Sequence, residues 1–204
     1  VDGIRNINLT DLLYAEELGY KVKLLGMSTF NQKKLTNFVY PCLIEKDELI
    51  AKVDDVYNGI VVESDFCNKS FFQGEGAGSK PTATSVVSDL INLSINQLDP
   101  ELFHKKKNIH SINISERFGS YYLRFFTIDK PGVISGISNE FKKNNISMKS
   151  MLQKDNLSGK NKHATIVVTT HNCFEKNMIN ALKQINKLNF IMKKTTYIRI
   201  ENFK

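Results

Sequence analysis

The sequence predicts an α+β fold in two parts: a partial mixed sheet closed by a returning helix, then a ferredoxin-like βαββαβ unit. Three observations predict it. Strand-like alternation dominates residues 20–73 and gives way to one long helical run after Pro81. Between 121 and 201 the apolar period switches in the order strand, helix, strand, strand, helix, strand. The charge also splits: residues 1–100 carry 9 Lys+Arg against 14 Asp+Glu, a net −5, and residues 101–204 carry 19 against 7, a net +12.

In the first part, Thr10 and Asp11 read as the cap and first-turn acid of a helix bearing Leu12, Leu13, Ala15 and Leu18, stopped by Gly19. Its acids Asp11, Glu16 and Glu17 read as a solvated face. KVKLL (21–25) alternates like a strand, with Lys21 and Lys23 as strand-edge charges. The β-rich stretch 36–44 contains Pro41, which predicts an edge position or a bulge. A short helical turn near 48–53 leads to a strand over 57–65, with 70–73 as its hairpin partner. Pro81 suits the first turn of a helix, and Val86, Val87, Leu90, Ile91 and Leu93 give that helix a wide apolar stripe.

Residues 99–120, with Pro100, Lys105–Lys107 and little periodicity, read as a linker, which divides the chain into 1–98 and 121–204. In the second part, 121–128 (YYLRFFTI) is an aromatic strand. Asp129, Pro131 and Gly132 then turn into a helix with Val133, Ile137 and Phe141 on one face. Residues 146–154 return as a strand, and a polar hairpin (156–162) leads to a strand over 163–171. Phe174, Met178, Ala181, Leu182 and Ile185 mark a second amphipathic helix, and 193–201 is the last strand.

Composition removes several function classes. With 41% hydrophobic and 24% charged residues the chain is globular. No apolar run approaches the ~20 residues that span a bilayer, so no membrane role is expected. Cys42, Cys67 and Cys173 are far apart, which fits small hydrophobes in a reducing cytoplasm better than disulfides or a thiolate zinc site. His163 and His171 are eight residues apart on one strand and His104 and His110 lie in the linker, so no metal site is expected. The basic lysines are dispersed and lack aromatic interleaving, so nucleic acid is not an expected partner. The first residue is Val1, with no basic or apolar leader behind it, which reads as a mature piece or a fragment.

The most informative passage is Gly74-Glu75-Gly76-Ala77-Gly78, immediately before the Pro81 helix. Glycines there allow backbone N–H groups to approach an anion at a helix N-terminus. The spacing is GxGxG, not the dinucleotide fingerprint, and a plain glycine turn explains it as well. Together with GIRNINLTDLLYAEELGYKVKLLG (3–26), YPCLIEKDELIAKVDDVYNGIVVES (40–64) and FQGEGAGSKPTATSVVSDL (72–90), it resembles the C-terminal half of the homoserine dehydrogenase catalytic region. The resemblance implies an NADP- or NAD-dependent oxidoreductase interconverting homoserine and aspartate 4-semialdehyde, on the way to threonine, methionine and isoleucine. It places Gly78, with Gly76 and Ala77, against the nicotinamide end of the cofactor. It also places the Rossmann domain, the substrate-binding acids and the catalytic lysine upstream of Val1, so no catalytic residue is expected in this chain.

Residues 121–201, with the DKPGV turn, resemble an ACT domain, an amino-acid-binding regulatory module. The resemblance implies an amino-acid effector, threonine first, held by Asp129, Gly132, Val133 and Ile134. It also implies a homo-oligomer, dimer or tetramer. For these residues a Pro131-Gly132 turn capped by Asp129 is the equally weighted alternative. The alternative for the whole chain is a stand-alone ACT-containing regulatory protein without enzymatic activity.

Overall fold

The computed structural model describes residues 2–31, 34–95, 110–154 and 163–203. The lysine run 105–107, His104 and the hairpin expected over 156–162 lie outside these. Helix α1 spans Leu9–Glu17 and strands β1 and β2 span Tyr20–Asn31 and Lys34–Glu45. After a 3-10 turn at Leu49–Lys52 come β3 (Tyr57–Ser64), β4 (Asn68–Glu75) and α2 (Ser79–Ile95). Then follow β5 (His110–Ser111), a 3-10 turn (Ile114–Glu116), β6 (Phe118–Ile128) and α3 (Val133–Lys143). The chain continues through β7 (Met148–Lys154), β8 (His163–Thr170), β9 (Cys173–Phe174), α4 (Glu175–Ile185) and β10 (Thr196–Glu201).

The two-part α+β reading holds at the level of elements, and the βαββαβ order is β6-α3-β7-β8-α4-β10. Sheet pairing then joins what the chain order separates. The main sheet runs β1-β2-β10-β6-β8-β7, with β2 parallel to β10 at Cys42–Ile44 and Arg199–Glu201 and antiparallel to β1 along its whole length. Compactness therefore groups residues 1–45 with 110–204 in one unit and 46–109 in another, whereas composition places boundaries at 98 and 121.

In the first unit both faces of the sheet are covered. On one, Tyr121, Leu123, Phe125, Ile166 and Val168 pack with Val133, Ile137 and Phe141 of α3 and Met178, Ala181, Leu182 and Ile185 of α4. On the other, Tyr14 and Ala15 of α1 pack with Leu43, Tyr122, Val167, Ile198 and Ile200. Gly19, at φ +83°, follows the last turn of α1 as expected. The start of that helix differs from the sequence reading. Asn8 is the N-cap, accepting from the Asp11 amide, while the Asp11 carboxylate accepts from the Asn8 amide. Thr10 is inside the helix, and Leu12 and Leu13 face outward.

Pro41 departs from expectation too. β2 is an inner strand, but Pro41 faces only Leu24 of β1. The second partners of β2 reach Lys34–Leu35 (β5) and Cys42–Ile44 (β10) and leave position 41 between them. The missing N–H thus sits where no second ladder needs it. Part of the expected linker is ordered into elements, since β5, the Ile114–Glu116 turn and the start of β6 fall within it.

The second unit contains the β3–β4 hairpin, the 3-10 turn whose Ala51 is buried, and α2. Gly59 is required there, because a Cβ would press on Val53, Ile50 and Phe71. No residue of α2 is buried, and Val86, Val87, Leu90, Ile91 and Leu93 are all more than half exposed. The stripe read from the sequence is present but has no partner among the described residues.

Candidate functional site

Two of the expected sites have distinct geometry. The first is the loop between β4 and α2. Its residues 74–80 are exposed, and Gly78 has φ +117°, a conformation that costs any residue with a Cβ roughly 1–2 kcal/mol. The Gly78 carbonyl accepts from the Thr82 hydroxyl at 2.7 Å and the Thr82 amide at 3.3 Å, which fixes the entry into α2. Gly76 donates its N–H to the Val56 carbonyl at 2.9 Å, and a Cβ on it would collide with the Asn58 side chain. Packing against Asn58 therefore favours glycine at 76, and the positive φ favours it at 78. Ala77 between them is exposed. This arrangement leaves bare backbone open to an approaching ligand.

The second is a cavity of about 410 Å³ at the β6–α3 turn, lined by Asp129, Gly132, Val133 and Ile134 together with Gln153 of β7 and Ala164 of β8. All four residues expected at the effector site line one cavity. Gly132 caps α3 at φ +91°, with open space where a Cβ would point. First-turn N–H groups of a helix lack intrahelical acceptors, so Val133 and Ile134 offer donors for an anionic group. The Val133 side chain is buried in the core, so only its backbone serves the cavity, whereas Asp129 is exposed.

The structure also brings together charged residues that the sequence reading left apart or placed in solvent. Asp11, expected on a solvated face, is wholly buried. Arg124 clasps it with Nε at 2.5 Å and Nη2 at 3.0 Å, and the Tyr122 hydroxyl donates to it at 3.2 Å. Glu16 and Glu17 do remain exposed. A second cluster forms around Glu175, the first residue of α4. It accepts from Arg199 (Nη2 at 2.5 Å) and from the Tyr121 hydroxyl at 2.8 Å, while Arg199 Nη1 reaches Asp2 at 2.7 Å. Arg117 binds Glu201, and the Tyr40 hydroxyl donates to the same carboxylate at 2.9 Å. The Arg117 guanidinium lies over Gly119, where a Cβ would come within 2.6 Å of it.

Burial opposes the charges on Arg117 and Arg199, but Glu201 beside the one and Glu175 beside the other carry both above the ordinary guanidinium range. No sequence signal marks these pairs, because their members are up to 197 residues apart. Burial, with Glu201 next, pushes the Cys42 thiol up to about 12, and burial pushes that of Cys173 up to about 11. Both are inert packing residues, as expected, whereas Cys67 is exposed in the β3–β4 turn. Among the described residues no group of His, Cys, Asp and Glu is placed to hold a metal ion, and no helix is long and apolar enough to cross a membrane.

The fold defines the class first: a βαββαβ module that follows, in chain order, a β-hairpin and a long helix. The family follows. The homoserine dehydrogenase family model matches residues 1–91, and the ACT domain model matches residues 121–190. The homoserine dehydrogenase of Helicobacter pylori is 35% identical over 203 residues, covering 99% of this chain and 48% of that protein. That of Neisseria gonorrhoeae is 34% identical over 211 residues, with 99% and 48% covered. A crystal structure of a homoserine dehydrogenase from Thiobacillus denitrificans matches all of this chain and 47% of its own, at TM-score 0.84 and 31% identity. The chain spans about half the length of the curated relatives it matches.

Proposed function

We propose that this chain is the C-terminal part of an NADP- or NAD-dependent homoserine dehydrogenase that interconverts L-homoserine and L-aspartate 4-semialdehyde in the cytoplasm. Residues 1–98 would complete its catalytic region, 99–120 would be the linker and 121–204 its amino-acid-sensing ACT domain. The observation that carries the reading is the likeness, over the full chain at TM-score 0.84, to a homoserine dehydrogenase. The Gly74–Gly78 loop fits a nicotinamide cofactor, since its backbone is exposed and carries no side chain at 76 and 78. Gly76, Ala77 and Gly78 would line the nicotinamide end, hold it by backbone contact and help exclude water. The cofactor supplies the hydride chemistry when bound. The acid/base group and the dinucleotide-binding fold would come from residues upstream, so the 204 residues alone would be inactive.

The cavity at Asp129, Gly132, Val133 and Ile134 would take a small amino acid, threonine first. Its α-carboxylate would sit on the free N–H groups opening α3. The exposed apolar faces of 46–95 support assembly as a homo-oligomer, dimer or tetramer. The test is the full-length enzyme. Homoserine oxidation is expected with one of the two nicotinamide cofactors, with Gly78→Ala weakening cofactor affinity or turnover. Calorimetry against threonine, isoleucine, methionine and lysine tests the effector. A full-length protein without homoserine-dependent cofactor reduction would sink the catalytic reading. Absence of binding by all four amino acids would reduce the ACT domain to a structural role.

A further inference from the structure

We propose that Arg124 is the positioning residue through which occupancy of the β6–α3 cavity is felt by α1, by way of its clasp on Asp11. The proposal rests on the effector reading above and adds a route for the ligand's effect. One strand carries both features. Thr127 and Ile128, at the end of β6, line the cavity, and Arg124 and Tyr122, a few residues earlier, hold Asp11.

Between these points the strand is stiff. Arg124–Ile128 pair residue for residue with Val167–His163 of β8, with no bulge, and the distance from Arg124 to Thr127 is roughly 10 Å at about 3.3 Å per residue. A shift of Ile128 and Asp129 on closing around a ligand cannot dissipate by slipping register, because a one-residue slip would turn every core side chain of β6 to the wrong face. The displacement is therefore handed along the strand to Arg124.

The clasp is suited to respond in two states. A bidentate guanidinium–carboxylate pair is directional, and in this one the Asp11 carboxylate is fully buried and Arg124 partly so, which favours a contact that is either made or broken. Asp11 is also the residue whose carboxylate accepts from the Asn8 amide in the capping box of α1. Weakening its bond to Arg124 leaves a buried carboxylate short of donors, and the group that can move to relieve it is the start of α1. Helix α1 lies in the segment matched by the homoserine dehydrogenase model and Arg124 in that matched by the ACT model, so this ion pair joins the two segments, and Arg199–Asp2 likewise ties β10 to the first.

The test uses the full-length protein and the variants Asp11→Asn, Arg124→Lys and Tyr122→Phe. Threonine affinity is measured by calorimetry with and without saturating homoserine and nicotinamide cofactor. In the wild type the two affinities should differ at least fivefold, since coupling between two sites is reciprocal. In Asp11→Asn and Arg124→Lys, threonine should still bind the free enzyme within about threefold of wild type, with basal kcat/KM within about twofold, while the coupling falls below twofold. Tyr122→Phe, which removes one hydrogen bond and should fold in any case, should reduce the coupling partially. A purely structural Arg124 would lower thermal stability and leave the ratio unchanged. Folded variants with wild-type coupling overturn the proposal. Wild-type threonine binding without any coupling overturns it too and leaves the effector site standing. Failure of the wild type to bind any of the four amino acids removes the effector reading and this proposal together.

Discussion

The unit formed by residues 1–45 and 110–204 and the unit formed by 46–109 have a similar proportion of apolar residues and use it to opposite effect. In the first, Phe125, Phe141, Met178 and Ile185 are at most 1% exposed. In the second, Ile60, Val62 and Phe72 of the hairpin and Leu90 and Ile91 of α2 are 47–63% exposed. The same hydrophobic periodicity that closes a core in one place is left without a counterpart in the other. The difference teaches that a periodic stripe specifies burial without specifying the partner. Among the described residues α2 has no partner.

The largest expected effect breaks this contrast at its strongest point. Phe141→Ala should destabilise the first unit by about 3–5 kcal/mol, read by chemical denaturation. Leu90→Ala in the same 204-residue chain should change stability by less than about 0.5 kcal/mol. In the full-length protein Leu90→Ala should become costly, and equal small effects in both settings would mean that the stripe of α2 is never covered.

Excision sharpens the comparison from the other side. A polypeptide of residues 110–204 alone loses Asp11, the partner of Arg124, and uncovers Tyr122, Ile198 and Ile200. Loss of that pair and of the cover on this sheet face should make the piece unfold at lower denaturant, or less cooperatively, than the intact chain. Equal stability would show that residues 1–45 are accessory to the sheet.

Smaller effects concern the glycines. Gly132→Ala and Gly78→Ala should each cost roughly 1–2 kcal/mol, through the positive φ alone, in the first and second unit respectively.

The smallest effect is on the thiols. At pH 8 one cysteine of the native chain, Cys67, should react rapidly with an alkylating reagent, and all three should react after unfolding. The sign of the pH dependence follows from Cys42. Its folded pKa is raised from 9.0 to about 12, so between those values the folded chain keeps a proton that the unfolded chain has lost. The stability that burial of the neutral thiol supports is complete below pH 9 and falls as pH rises toward 12. Denaturation midpoints of Cys42→Ala across that range should flatten relative to wild type.

Much of this was legible in the residues themselves. Val133, Ile137 and Phe141 at four-residue spacing fixed the inner face of α3, and Gly19 and Gly132 marked the ends where only a residue without a Cβ takes a positive φ easily. The DKPGV turn located the cavity, because the residues that make a strand-to-helix turn also line it. Local chemistry is enough for such features, since each is settled within a few residues.

The pairing of β2 with β10, the inner position of Pro41, the burial of Asp11 and the Arg199–Asp2 contact were decided only by the tertiary structure. Asp11 looks like a surface acid because no cation lies within four positions of it in sequence, and its partner lies 113 residues away. A charge is buried or solvated according to what the whole chain brings beside it. A periodic pattern sees only its neighbours, so it orients a side chain relative to its own element but does not reveal which element waits on the other side.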